Sequence, residues 1–367
     1  MITIPIFGYA LRVNDTKPTK KFFLIYVCMV LIIISAIRSV DVGNDTLQYW
    51  RAFTRISELP VKDLWTTRYE PGFVILCYLL GLISDNPQIL LVVTSFIIFI
   101  PFFIFFYRNS EDVVLSSYLF VSLSMFGLYL SMMRQAIAIA IILMGLEFFY
   151  KKKKYFIFFL FCLLAWQFHN SALIASVILL YPLIRKWTIK KIGVAIALIP
   201  VIFVLANWFF EIFAGVFGYL GYADSQFFES NYFAAVIKGL MNAAYLWLLV
   251  ACGGVSKEPL KRGIDGKISV VDENNLFFDT FLITIFFVQL FFLVCGIRIV
   301  IMERVGYYYS VFALIIIPRA IKNSFAKRDR FIISYFIIVV TFLYWIIVAF
   351  LRPKWLGVVP YSIFTQM

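Results

Sequence analysis

The stretch 71-PGFVILCYLLGLI-83 decides how the rest of the chain is threaded. It is apolar nearly throughout, which marks it as buried in protein or lipid. At ~1.5 Å per residue it reaches only ~20 Å, against a hydrocarbon core of ~30 Å. A full crossing here would carry the run KKKK (151–154) to the outer face, against the tendency of Lys and Arg to stay inside. A half-crossing that enters and leaves on the outer side restores that tendency, and such elements are tolerated where they line a cavity or are buried in protein. The alternative threading is a full crossing offset by a break within 192–218.

The surrounding composition fixes the class. Of 367 residues, 63% are hydrophobic, 19% aromatic and 14% charged, with a mean hydropathy of +0.93. That excludes a soluble globule and predicts an all-α, polytopic membrane protein. A net charge of +13 would suggest nucleic acid in a soluble chain. Here the cations collect in KKKK, RKWTIKK (185–191), KEPLKRGIDGK (257–267) and KNSFAKRDR (322–330), where membrane orientation accounts for them and no nucleic acid is implied. The first apolar run begins at Phe22 behind Arg12, Lys17, Lys20 and Lys21, and reads as a retained anchor. Cys28, Cys77, Cys162, Cys252 and Cys295 lie in apolar runs without metal spacing and read as packing residues.

Between the basic runs, crossings are expected near 22–38, 88–107, 113–133, 135–150, 155–168, 171–184, 192–212, 236–254, 276–297, 305–321 and 331–351. About 11 transmembrane helices plus the half-helix then form a single integral membrane domain over 1–367. The N-terminus is cytoplasmic and the C-terminus external. Segments 38–87, 166–171, 213–235, 298–304 and 352–367 face outward, and 255–275 is a cytoplasmic loop without a readable motif.

This threading gathers the unusual polar residues on the outer side. Asp45, in VGNDTLQYW (42–50), reads as the N-cap of a helix whose apolar stripe is Leu47, Trp50 and Phe53, or as a general base. His169, the chain's one histidine, reads as a structural hydrogen-bonding residue or as a base beside phosphate, and one histidine without a Cys or carboxylate pair is poor metal chemistry. Glu70-Pro71-Gly72 reads as a helix start, or as a second carboxylate facing Asp45. Arg38 lies outside, and Arg134, Arg298 and Arg304 sit at outer helix ends, where snorkelling competes with an anion site. Arg304 shares a helical face with Tyr307 and Tyr308, whereas Arg298 lies on another face. The many phenylalanines read as lipid-facing and core packing.

Taken in order, Arg38, Gly43-x-Asp45-Thr46-x-x-Tyr49, Glu70-Pro71-Gly72-Phe73, Met133-Arg134-Gln135, Phe168-His169-Asn170-Ser171, Arg304-x-x-Tyr307-Tyr308 and Pro360-Tyr361 form a series. It resembles the EpsG-like family of bacterial exopolysaccharide and O-antigen polymerases of the Wzy type. The resemblance implies an architecture related to membrane-embedded, lipid-linked glycosyltransferases. It also implies a metal-independent polymerase without cofactor, acting on undecaprenyl-pyrophosphate-linked repeat units at the outer face of the inner membrane. Asp45 and His169 are then the candidate catalytic residues. Arg38, Tyr49, Glu70, Arg134, Arg298, Arg304, Tyr308 and Tyr361 are candidates for holding substrate. Membrane lipids, a chain-length regulator and a flippase are the expected partners. An O-antigen ligase, a lipid-linked oligosaccharide flippase and a membrane acyltransferase are the competing readings. Few mid-membrane acids and no evident internal repeat weigh against the flippase.

Overall fold

The computed structural model describes residues 1–184, 187–217, 239, 260–262, 268–270, 273–324 and 327–365. They are overwhelmingly helical, apart from an antiparallel pair of three-residue strands, Leu260–Arg262 with Ile268–Val270. The chain divides into two compact units. The first comprises Met1–Glu147, Phe156–Leu173 and Lys327–Met367, and the second Phe148–Tyr155 and Ile174–Ala326.

In the first unit, α1 (Thr3–Ala10) precedes α2 (Lys17–Ala36). Thr16 caps α2 by accepting the Thr19 N–H at 3.3 Å, and Pro18 occupies its first turn, where no N–H is missed. One face of α2, including Phe23, Val27 and Leu31, is buried, and the helix packs against α5 (Gln88–Asn109). The Oγ atoms of Ser35 and Ser95 meet across that contact at 2.6 Å, a small-residue polar joint suited to apolar surroundings. Two short helices lie between. The helix α3 (Thr46–Ser57) packs on α4 (Pro71–Gly81) and buries Tyr49, Ala52, Phe53 and Ile56. The expected stripe of Leu47, Trp50 and Phe53 is therefore shifted: Leu47 is exposed and Trp50 half-buried, because protein rather than lipid covers this face. The 11 residues of α4 confirm a short helix, about 16 Å long.

Asp112 caps α6 (Val113–Ser122), accepting the Leu115 N–H at 2.9 Å. It also accepts from Tyr9 Oη at 2.8 Å and Asn14 Nδ2 at 2.7 Å, which pins α1 against α6. The expected single span 113–133 is broken at Ser124, whose φ of +63° lets α7 (Met125–Ser131) leave α6 at 53°. The helix α8 (Met133–Tyr150) follows, then α9 (Tyr155–Trp166). Phe99, Phe102, Phe106, Phe120 and Tyr129 interlock with ring centroids 5.1–6.1 Å apart, placing aromatic packing at the core.

A long 3₁₀ helix, Asn170–Leu180, runs across the unit boundary where a crossing was expected over 171–184. After α10 (Tyr181–Ile184) come α11 (Ile189–Ala197), α12 (Ile199–Val204) and α13 (Ala206–Phe217). The expected crossing 192–212 is bent by 74°. Segment 298–304, expected as an outer connection, is helical: α14 (Glu273–Arg298) gives way at Ile299 to α15 (Val300–Ser310), and α16 (Ala313–Ser324) follows at a bend of 50°. Gly296 permits the tight return, since a Cβ there would lie 2.7 Å from Glu303 Cβ. The last long helix, α17 (Lys327–Ile346), belongs to the first unit.

Among the described residues, five helices are long and apolar enough to cross a membrane, or up to eight if each bent pair is one span. The expected count of about 11 also took in 155–168 and 171–184, which form helices shorter than this measure requires. Three of the expected spans, 113–133, 192–212 and 305–321, are bent. The expected span 236–254 and most of 213–235 and 255–275 lie outside the described residues.

Candidate functional site

In the first unit the start of α4, the start of α8 and the turn after α9 meet. Pro71 opens α4, and Gly72 lets it approach the turn closely: its N–H donates to the Gln167 carbonyl at 2.7 Å, where a Cβ would collide with that same oxygen. Glu70, at the N-cap position, makes no side-chain capping bond and turns its carboxylate elsewhere. One oxygen accepts from the Arg134 guanidinium. The other accepts the Asn170 N–H at 3.2 Å and lies 3.4 Å from His169 Nδ1. Glu70 is 7% exposed, whereas the side chains of Arg134 and His169 are 22% and 20% exposed. One buried carboxylate thus holds two reactive groups at the edge of solvent.

Burial pushes the Glu70 carboxyl up, but the nearby His169 and the charge of Arg134 outweigh it and hold the group down at about 2. The expected arrangement, Glu70 facing Asp45 as a second carboxylate, gives way to Glu70 facing a cation. Arg134 sits in an aromatic box, its Cζ 5.0 Å from the Tyr69 ring centroid, 5.8 Å from Tyr49 and 6.0 Å from Phe73. Burial raises the Tyr49 phenol, against the neighbouring charge of Arg134. Arg134 Nε is buried with no acceptor among the described residues, an open donor beside His169's support.

Asp45 occupies the N-cap position of α3 without a side-chain capping bond, close enough to Tyr49 to oppose its ionisation. Its loop is built on Gly43, whose φ is +95°. A Cβ there would sit 2.7 Å from Thr46 Oγ1 and 3.0 Å from the Leu130 carbonyl. Gly43→Ala is therefore expected to cost about 1–3 kcal/mol through backbone strain, read as a lowered unfolding midpoint in detergent, and to displace Asp45. An unchanged midpoint would contradict this geometry.

Arg38 is almost wholly buried, donating to the Ser35 carbonyl and Oγ and, at 3.4 Å, to the Leu130 carbonyl. Burial pulls its guanidinium down to about 10, against the influence of Tyr361. Tyr361 is exposed and donates to the Ile34 carbonyl, and the tail is sewn down by Ser39 N–H to Ser362 O at 2.9 Å and Phe364 N–H to Ile37 O at 2.8 Å. Arg298, Arg304 and Tyr308 belong to the second unit. There Arg298 donates to the carbonyls of Phe203 and Val204 at 3.3 and 3.2 Å, covering the C-terminal end of α12. Arg304 lies half-buried on α15, and Tyr308 is buried.

Of the predicted residues, the first unit brings Tyr49, Glu70, Arg134 and His169 together, with Asp45 near Tyr49. Tyr69 was missed as a wall of the Arg134 box. Its signal was its place beside Glu70 in RYEPG, where an aromatic next to a buried acid is well set to cover that acid's cation. Among the described residues, no group of three or more His, Cys, Asp or Glu side chains is placed to hold a metal ion.

No curated protein and no solved structure matches the chain. Against protein-family models, residues 21–363 match the EpsG family, a span that runs from within α2 to Ile363 in the tail and includes every residue of the cluster around Glu70. The ordered motifs, the membrane helices and this match over nearly the whole chain agree: the protein belongs to the EpsG family.

Proposed function

We propose that this membrane protein polymerises undecaprenyl-pyrophosphate-linked oligosaccharide repeat units at the outer face of the bacterial inner membrane, with its N-terminus inside and its C-terminus outside. Family membership supports a polysaccharide polymerase-like enzyme. The observation that carries the finer reading is the single buried carboxylate of Glu70, which holds a histidine and an arginine side by side.

In the proposed reaction, His169 takes the proton from an acceptor hydroxyl of the incoming unit as that oxygen attacks the anomeric carbon of the growing glycan. The bond from that carbon to the pyrophosphate oxygen breaks, and undecaprenyl pyrophosphate leaves with the electron pair. Glu70 supports the ring from the Nδ1 side and favours the imidazolium that forms when the proton is taken. Arg134 stabilises the charge on the departing pyrophosphate through its open Nε–H, from a site walled by aromatics. The donor is already activated, so one base and one cation suffice without a metal or a glycosidase-like carboxylate pair. Asp45 is the alternative base, and Tyr361, exposed on the tail of the same unit, is assigned to binding the remaining glycan. Membrane lipids, a chain-length regulator and a flippase complete the proposed partners.

The test is reconstitution of the protein with a lipid-linked repeat unit and no nucleotide sugar, followed by separation of the products by size. A ladder of lipid-linked oligomers is expected. Transfer of the glycan to a lipid A core instead, without a ladder, would identify a ligase. Movement of the intact donor across the bilayer would identify a flippase.

A further inference from the structure

An apolar groove of about 1000 Å³ runs along α2 in the first unit. Its wall on α2 extends from Pro18 to Ile34, which is ~24 Å at 1.5 Å per residue and thus most of a bilayer's hydrocarbon depth. Phe7 of α1 and Trp345 of α17 form its sides, and Gly127, Leu356 and Val358 close the end farthest from the N-terminus. The α1 side is fixed in place. Tyr9 and Asn14 bind Asp112, and Gly8 lies so close to Val114 that a Cβ would overlap it. The groove is therefore a constructed space with pinned walls.

Its far end is joined to the candidate site. The Leu356 carbonyl accepts from Ser131 Oγ at 2.8 Å, and the same Oγ accepts the Asn44 N–H at 3.0 Å. Asn44 Nδ2 donates to the carbonyls of Lys354 and Trp355 at 3.2 and 3.1 Å, and Gly43 N–H donates to the Gly357 carbonyl at 2.7 Å. The wall of the groove and the loop that launches α3, with Asp45 and Tyr49, are thus one hydrogen-bonded piece. Tyr49 in turn touches Arg134. The end of the groove and the loop beside the candidate site are therefore positioned together.

We propose that this groove seats the polyprenyl tail of the lipid-linked substrate; the proposal rests on the reading of the site given above. An anionic phospholipid is the other occupant to test, since Lys17, Lys20 and Lys21 lie at the opposite end. Continuity with the candidate site favours the polyprenyl chain, whose own charged group belongs at the other end of the groove.

The experiment uses the full chain in lipid nanodiscs and a polyprenyl phosphate bearing a terminal diazirine and no sugar. After illumination, labelled peptides are mapped by mass spectrometry. Label is expected in α1, α2 and 345–359, competed by unlabelled polyprenyl phosphate and not by phosphatidylglycerol. Val30→Trp places bulk in the groove from a position 37% exposed, so folding is spared, and Gly127→Leu narrows it from the other wall. Each is expected to cut labelling at least tenfold. Turnover of a long-tailed donor should fall similarly, while turnover of a donor with a two-isoprene tail is retained. Label confined to other helices, labelling unchanged in both variants, or competition by phosphatidylglycerol alone would overturn the proposal. Groove labelling without any polymer ladder would retain the tail site and remove the polymerase reading. A ladder with label elsewhere would do the reverse.

Discussion

His169→Ala is expected to slow polymer formation by about 10²–10⁴-fold, the span that loss of a positioned general base produces. The expectation follows from placement. His169 is one-fifth exposed, its Nδ1 lies 3.4 Å from a buried carboxylate, and its backbone carbonyl accepts the Ala172 N–H at 2.9 Å. The ring is thus held beside that carboxylate at the edge of solvent. Donor binding should change little, because Arg134 and the apolar groove remain, so single-turnover kinetics should show the loss in the chemical step. Asp45→Asn run alongside decides the base. If it abolishes the ladder while His169→Ala retains near-normal turnover in a monodisperse protein, Asp45 holds that role and His169 is structural.

Glu70→Ala is expected to be the most damaging substitution for stability, at roughly 3–5 kcal/mol, because it strands Arg134 among Tyr49, Tyr69 and Phe73 without its anion. It also removes the acceptor for the Asn170 N–H. Glu70→Gln keeps the shape and an acceptor, so it separates the loss of charge from the loss of packing. The pH dependence has a defined sign. The folded carboxyl is held at about 2, below its ordinary value of 4.5. Its contribution is therefore complete above pH 4.5 and is lost as pH falls through about 2. Unfolding midpoints in detergent should be flat in this contribution from pH 7 to 4.5 and decline below, with the decline smaller in Glu70→Gln. Equal declines in both proteins would mean that the Glu70 pair contributes nothing to folding.

Much of this site was legible because membrane-spanning sequences make polarity conspicuous. Asp45, Glu70, Arg134 and His169 each stand at the edge of an apolar run, and their motifs fall in order along the chain. What could not be read was the pairing. Glu70 looked like a helix-start acid, since Pro71 follows it, but its partners are 64 and about 100 residues away. The stripe on α3 was misplaced for a similar reason. Leu47, Trp50 and Phe53 are a fair lipid-facing set, yet α4 covers Tyr49, Ala52 and Ile56 instead.

By itself the sequence determined the helical membrane class, the short length of 71–83 and the identity of the groups able to do chemistry. Those properties depend on local composition, on rise per residue and on the cost of leaving polar groups in hydrocarbon. Only the tertiary structure decided that Glu70 binds Arg134 and approaches His169, that Arg298 closes the end of α12, and that a groove beside α2 shares a wall with the Asp45 loop. These depend on contacts between distant segments, through breaks such as Ser124 and close approaches such as Gly72, whose consequences no local pattern encodes.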